Sequence, residues 1–172
     1  SASLAGVGPG DPVVEIGPGL GSLTLALLEH DASVTAVEMD TELVPILREV
    51  VAGHDVTIVE GDAQQVDWDT VLAAHPSWKL VANLPYNVAT PLILDLLRDV
   101  PAITEMLVMV QLEVAERLAA TAPDPAIGIP SVLVAYHGVA EIVGKVPPTV
   151  FHPKPRVDLS LIHISEPTRH CL

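Results

Sequence analysis

Between an apolar run and an amphipathic one, the chain reads Glu15-Ile16-Gly17-Pro18-Gly19-Leu20-Gly21. Three glycines in five residues let a backbone turn tightly and pass close to a ligand, because glycine carries no Cβ and adopts positive φ without strain. Val13-Val14-Glu15-Ile16 before the turn reads as a strand, and Leu20 to Glu29 after it as a helix. A strand, a glycine turn and a helix in that order make the opening unit of a parallel sheet covered on both faces.

The rest of the chain repeats that alternation. Ser33 to Val37 is expected to be a second strand, followed by a helix over Glu42 to Val51 with Leu43, Ile46, Leu47 and Val50 on one face. Val56-Thr57-Ile58-Val59 reads as a third strand and Leu80-Val81-Ala82 as a short fourth. Pro91 suits the first turn of a helix running to about Leu97, with Thr90 as its cap. Glu105 to Val110 reads as a fifth strand and Glu113 to Ala120 as a helix, whereas the periodicity of Ser131 to Tyr136 fits helix and strand equally. Val139 to Val146 and Val157 to Ile164 are expected to form a C-terminal antiparallel hairpin around a Pro-rich loop. The expected fold is a doubly wound, Rossmann-like α/β domain over residues 1–164. The tail from Ser165 to Leu172 does not continue the last strand and reads as non-native.

Composition excludes several other classes. With 49% hydrophobic and 17% charged residues, the 172-residue chain can bury the core of one domain and is not disordered. Cys171 is the single cysteine, so no disulfide scaffold is possible, and no apolar run approaches the ~20 residues of a membrane span. Nothing in Ser1 to Gly6 reads as a signal peptide, which makes the cytoplasm the expected compartment. The 7 histidines show no ligand spacing, and no metal is expected. Ser22 lacks the setting of a hydrolase nucleophile, and Cys171 has no activating neighbour. A net charge of -14 opposes nonspecific binding to nucleic acid. The charge is uneven, however: Arg48 is the lone basic residue up to Thr70, while Lys145, Lys154, Arg156 and Arg169 come late. A local basic edge on an acidic body and a simply solvated acidic surface both fit that distribution.

The loops that follow successive strands carry the chemistry. Glu15 sets a carboxylate beside the glycine turn, which repels phosphate and suits a cationic ligand, so the turn favours S-adenosylmethionine over NAD. Glu38 ends the second strand, where an acid can accept both hydroxyls of a ribose. Asp40 fits a helix cap better than a ligand contact. Gly61-Asp62-Ala63 follows the third strand, and Asp62 there could accept from an adenine amino group. Asn83-Leu84-Pro85-Tyr86 follows the fourth. An exocyclic adenine amine is a poor nucleophile because its lone pair is delocalised into the ring. If the Asn83 side chain and a neighbouring backbone carbonyl both accept its hydrogens, the nitrogen can pyramidalise toward a methyl donor. Pro85 would stiffen that loop, and Tyr86 would offer a ring for the base to stack on.

Taken in order, the segments at 15–24 (Glu-Ile-Gly-Pro-Gly-Leu-Gly-Ser-Leu-Thr), 37–40 (Val-Glu-Met-Asp), 60–63 (Glu-Gly-Asp-Ala), 83–86 (Asn-Leu-Pro-Tyr) and 111–117 (Gln-x-Glu-Val-Ala-Glu-Arg) resemble the KsgA family of small-subunit ribosomal RNA adenine N6-dimethyltransferases. Val146-Pro147-Pro148, Phe151-x-Pro153-x-Pro155 and Val157-Asp158 are similar to that family's late motif. The Erm methyltransferases of large-subunit rRNA share the early segments but not the late ones. The resemblance implies S-adenosylmethionine as cofactor, held by Glu15, Gly17, Gly19, Gly21, Glu38, Met39, Gly61, Asp62, Ala63 and Asn83. It implies a target adenine handled by Asn83, Leu84, Pro85 and Tyr86, with Phe151 closing on it. It also implies small-subunit rRNA or its pre-ribosomal particle as partner of a monomer, with an Erm-like or DNA adenine methyltransferase and a non-catalytic assembly factor as the alternatives. Leu112 departs from the family, many members of which carry lysine there. The family's N-terminal segment over the methionyl end of the cofactor and its C-terminal helical domain have no counterpart in these residues. The chain is therefore expected to be a fragment that transfers methyl groups poorly.

Overall fold

The computed structural model describes residues 6–146 and 156–166. The chain divides into two compact units, Ser1–Asn83 and Leu84–Leu172.

The first unit runs β1 (Pro12–Ile16), α1 (Ser22–Glu29), β2 (Ser33–Glu38), α2 (Leu43–Val50), β3 (Val56–Glu60), α3 (Trp68–Val71) and β4 (Trp78–Asn83). Its strands lie in the order β3-β2-β1-β4, and β1 with β2, β1 with β4 and β2 with β3 are all parallel. Ile16 is level with Val37 and with Ala82, and Glu38 with Glu60. Four chain segments thus leave the sheet side by side at its carboxyl edge. Val13, Leu27, Val34 and Val81 pack as one buried cluster, and Ala36, Leu47 and Val51 as another. Burying such side chains stabilises the unit by about 1.5–3 kcal/mol for each large aliphatic group.

The helix after the glycine turn starts at Ser22 rather than Leu20. Gly19 and Gly21 have φ of 56° and 90°, which no right-handed helix contains. The short α3 was not foreseen in the sequence. Its turn is held by Thr70, whose hydroxyl donates to Asp67 Oδ2 at 2.7 Å, and by Trp68, whose ring N–H donates to the Ala63 carbonyl at 3.0 Å. Such side-chain closures leave no periodic signal in four residues.

The second unit contains α4 (Tyr86–Asp99), β5 (Ile103–Gln111), α5 (Leu112–Ala119), α6 (Ile129–His137), β6 (Val139–Val146) and β7 (Leu159–Ser165). Its strands are ordered β5-β7-β6, and both pairings are antiparallel, so the expected C-terminal hairpin is present. The hairpin register slips between Ile142 and Gly144, which leaves Val143 as a bulge. β7 runs through Ser165, one residue into the segment read as a tail, and residues 167–172 lie outside those described.

Two segments of the second unit resolve or correct the sequence reading. The stretch with ambiguous periodicity is helical. The Gly128 N–H donates to Ser131 Oγ at 2.7 Å and the Ser131 hydroxyl donates back to the Gly128 carbonyl at 2.8 Å, which closes the first turn of α6. Helix α4 starts five residues earlier than expected, with Pro85 as its cap and Pro91 in its interior. Ala89, Leu92, Ile93 and Leu96 form its buried stripe, and burying Ala89 requires the helix to begin before Thr90. Pro91 deprives the Asn87 carbonyl of its donor, but Asn87 is exposed and water can replace the missing N–H. Among the described residues, no helix is long and apolar enough to cross a membrane, and no group of three or more His, Cys, Asp or Glu could hold a metal ion.

Candidate functional site

The first unit gathers the glycine turn, Glu38, Asp62 and Asn83 at the carboxyl ends of its four adjacent strands. The turn is pinned to β2 at two points. The Gly17 N–H donates to the Val37 carbonyl at 3.0 Å, and the Gly19 N–H donates to Glu38 Oε2 at 3.0 Å. Gly21 closes the turn onto the Pro18 carbonyl at 2.9 Å. A Cβ at Gly21 would lie 3.0 Å from Leu47 and 3.1 Å from Val50, both on α2, so the glycine permits close packing as well as its φ of 90°. Gly17 backs onto the Asn83 carbonyl, 3.9 Å from where its own Cβ would be.

Glu38 is buried and holds the turn and the strand end together. Its Oε1 accepts the Asp40 N–H at 2.9 Å while Oε2 accepts Gly19. Each oxygen keeps a second lone pair, so the carboxylate can still accept from a pair of hydroxyls. Met39 beside it is exposed and presents an apolar side chain next to that acceptor. The Gly61 N–H donates to the Glu38 carbonyl at 2.9 Å, which draws the loop after β3 alongside. Asp62 Oδ1 accepts the Gln64 N–H at 2.9 Å, and Ala63 is buried under that loop. Asp40 accepts the Glu42 N–H at 2.9 Å in a turn that leads into α2, whose N-cap is Glu42 rather than the Asp40 expected from the sequence.

No lysine or arginine belongs to this set. Lys79 stands near the start of β4 and bonds Asp11 at 3.1 Å and the Gly6 carbonyl at 2.9 Å. A pyrophosphate would meet the Glu38 carboxylate and, among the described residues of this set, no cation. A ligand with vicinal hydroxyls, a donor amine and positive charge has a partner for each group, and S-adenosylmethionine has that chemistry. The residues present fit that cofactor.

Glu15 differs from the expectation of an openly presented carboxylate. It is 1% exposed, and its Oε2 accepts the Thr24 hydroxyl at 2.6 Å. Burial pushes its carboxyl from 4.5 up to about 7, with the Thr24 hydrogen bond pulling down and the Glu38 charge pushing up. Thr24 was overlooked in the sequence, although a hydroxyl on the apolar side of α1 is a readable signal of a buried polar partner. The raised pKa has a measurable consequence. An acid of this kind favours the fold fully below its unfolded pKa and loses that contribution as pH rises through the folded value. Between 4.5 and about 7, Glu15 should therefore remove on the order of 3 kcal/mol of stability. Glu15→Gln should abolish that decline, which urea unfolding of both proteins at about pH 4, 6 and 8 would measure.

The second unit opens with the remainder of the Asn83-Leu84-Pro85-Tyr86 segment. Leu84 is buried and its N–H donates to the Met109 carbonyl at 3.1 Å. The Pro85 carbonyl accepts from Val88 at 3.2 Å and from Ala89 at 3.1 Å, so the loop is rigidly joined to α4. Tyr86 is 57% exposed, unlike Trp78, which is buried and donates its ring N–H to the Leu72 carbonyl at 3.0 Å. Phe151 lies outside the described residues.

Comparison with known proteins places this arrangement. Dimethyladenosine transferase from Plasmodium falciparum is 28% identical with a TM-score of 0.80 over 94% of this chain and 58% of its own. The 23S rRNA methyltransferase ErmE gives 28% and 0.81 over 97% of this chain and 66% of its own. The fold is the Rossmann-like α/β fold of methyltransferases. A family model described as ribosomal RNA adenine dimethylase matches residues 2–170, and the chain belongs to that family. The Ribosomal RNA small subunit methyltransferase A of Moorella thermoacetica is 44% identical over 98% of this chain. The chain spans 62% of that protein's length and 52–57% of other curated relatives of the same name.

Proposed function

We propose that residues 1–164 are the catalytic domain of a small-subunit rRNA adenine N6-dimethyltransferase that uses S-adenosylmethionine. The observation that carries this reading is the convergence of Glu38, Asp62, the glycine turn and Asn83 at the ends of four adjacent parallel strands. Glu38 would take the ribose hydroxyls beside Met39. Asp62 would accept from the adenine amine of the cofactor within the Gly61–Ala63 loop, and Gly17, Gly19 and Gly21 would let the backbone approach. The cofactor supplies an electrophilic methyl group on a sulfonium, a leaving group good enough that no strong base is required. Asn83 and the Leu84 carbonyl would accept the two hydrogens of the target amine and so free its lone pair. Pro85 would fix their spacing, and Tyr86 and Phe151 would stack on the flipped base. The small-subunit substrate is favoured over the Erm substrate because relatives named for the small subunit reach 44–48% identity, against 28% for ErmE. The same reading makes the pre-ribosomal particle the partner of a monomeric cytoplasmic enzyme.

The test is single-turnover transfer from labelled S-adenosylmethionine, using the chain extended to the length of its relatives. Dimethyladenosine should form on unmethylated small-subunit particles, and much less label should reach large-subunit RNA or duplex DNA. Preference for either of the latter would overturn the substrate. Particle association without transfer would favour an assembly role instead. In the same system, Glu38→Ala should weaken S-adenosylhomocysteine binding by about 1–3 kcal/mol, the cost of leaving hydroxyls unpaired, as read by calorimetry.

A further inference from the structure

With a net charge of -14, a cation that no carboxylate engages is unusual in this chain. Of the 8 basic side chains, Lys154 and Arg169 lie outside the described residues. Four of the rest have a use within the fold. Lys79 bonds Asp11, and Arg98 bonds Asp95 and Asp99. Arg48 and Arg117 stand in the last turns of α2 and α5, where a cation complements the carbonyl end of a helix. Lys145 and Arg156 are exposed and, among the described residues, belong to no ion pair. Both lie at the end of the second unit that carries Tyr86. Lys145 on β6 and Val110 on β5 are each level with Ser160, on β7 between them. Gln111 and Val146 are likewise level with Leu159, which follows Arg156 by three residues. The Leu112 N–H donates to the Asp158 carbonyl at 2.9 Å, which holds the segment after Arg156 against the end of β5. The Leu84 N–H donates to the Met109 carbonyl at 3.1 Å, so the loop leading to Tyr86 is joined to the same few residues of β5.

We propose that Lys145 and Arg156 bind phosphates of the RNA strand that flanks the target adenosine. The proposal rests on the rRNA methyltransferase reading and adds the surface along which the strand runs. With strands ~4.8 Å apart, the distance from Leu84 across β5 and β7 to β6 is about 14 Å. A stacked strand advances about 3.4 Å per nucleotide, so roughly four nucleotides cover that distance. A base stacked on Tyr86 therefore brings its neighbours' phosphates within reach of the ends of β7 and β6. Arginine suits a phosphate because its planar fork gives two parallel hydrogen bonds, and lysine adds a point charge on a flexible stem. The carboxylates at this end are Asp158 and Glu113, both exposed. Their repulsion, together with the net charge, keeps general adhesion to nucleic acid weak. The two cations thus act on a strand already anchored by its base.

The test is fluorescence anisotropy of a labelled single-stranded RNA of about 12 nucleotides with central adenosines, titrated with the chain at several salt concentrations. Each phosphate contact on a single strand contributes about 0.7 to the slope of log affinity against log salt. Lys145→Gln and Arg156→Gln should each flatten the slope by about that amount, and the double variant by about 1.4. Lys145→Arg should keep the wild-type slope. Arg48→Gln removes the same charge from the first unit and should leave the slope unchanged. Both proposed contacts are exposed, so melting temperatures of their variants should stay within about 2 °C of wild type. A wild-type slope in the double variant would overturn the proposal, as would an equal flattening in Arg48→Gln, which would assign the effect to net charge. No RNA binding by the wild-type chain at about 50 mM salt would overturn it too. Methyl transfer to small-subunit particles, measured alongside on the extended chain, keeps the two readings apart. Transfer with a wild-type slope in the double variant overturns the phosphate contacts alone, and absence of transfer overturns the reading on which they rest.

Discussion

Asn83→Ala is expected to lower the single-turnover rate constant for methyl transfer by on the order of a hundredfold while S-adenosylhomocysteine affinity stays nearly unchanged. The reasoning begins with the amine. Its hydrogens need acceptors most when the nitrogen has pyramidalised, so in the proposed mechanism the side-chain amide of Asn83 would act chiefly in the transition state. A group of that kind contributes to rate and little to ground-state binding. The substitution is mild for the fold, because Asn83 is exposed at the end of β4 and its carbonyl beside Gly17 remains. Tyr86→Ala should behave differently, weakening productive RNA binding by about 1–3 kcal/mol along with the rate, since a stacking ring acts on the bound base from the start. Transfer by Asn83→Ala at the wild-type rate would end the proposed handling of the amine.

Gly21→Ala should cost about 2–4 kcal/mol of stability and lower Tm by roughly 5–15 °C. Two penalties coincide there. The residue would be held at φ of 90°, which an L side chain resists, and its new Cβ would press on Leu47 and Val50 at 3.0–3.1 Å. Leu47 is fully buried, so it has little room to yield. Gly19→Ala makes a useful contrast, because its φ is also positive at 56° but nothing lies within 4 Å of its Cβ position. Thermal unfolding of the two variants separates backbone strain from crowding, and Gly19→Ala should lose the smaller amount.

The parallel strands were legible because each is a short run of Val, Ile, Leu or Ala bounded by turn residues, with no competing period. The order of motifs at their ends was legible for the same reason: a parallel sheet brings every strand–helix loop to one edge. Tertiary contacts were harder to read. Periodicity could not distinguish helix from strand for α6, and the decision falls to the Ser131 hydroxyl closing on Gly128. Thr90-Pro91 imitates a helix start, but burial of Ala89 carries α4 one turn further back. At the site, the glycine turn led to the expectation of a carboxylate presented by Glu15, whereas the side chain is buried. Its burial could not be foreseen, because that depends on α1 covering the strand and on Thr24 reaching across.

The proline inside α4 has a consequence for how that helix moves. With the Asn87 carbonyl left to solvent, the ladder is one rung short where the turn bearing Tyr86 meets the turns bearing Leu92, Ile93 and Leu96. The later turns are anchored by buried side chains, whereas the first turn is exposed at Tyr86 and Asn87. Opening the first turn therefore requires no disruption of the anchored part, and the two portions of α4 belong to different tiers of local stability. Fraying of that first turn would let the tyrosine ring change its tilt while the buried stripe of Leu92, Ile93 and Leu96 stays in place.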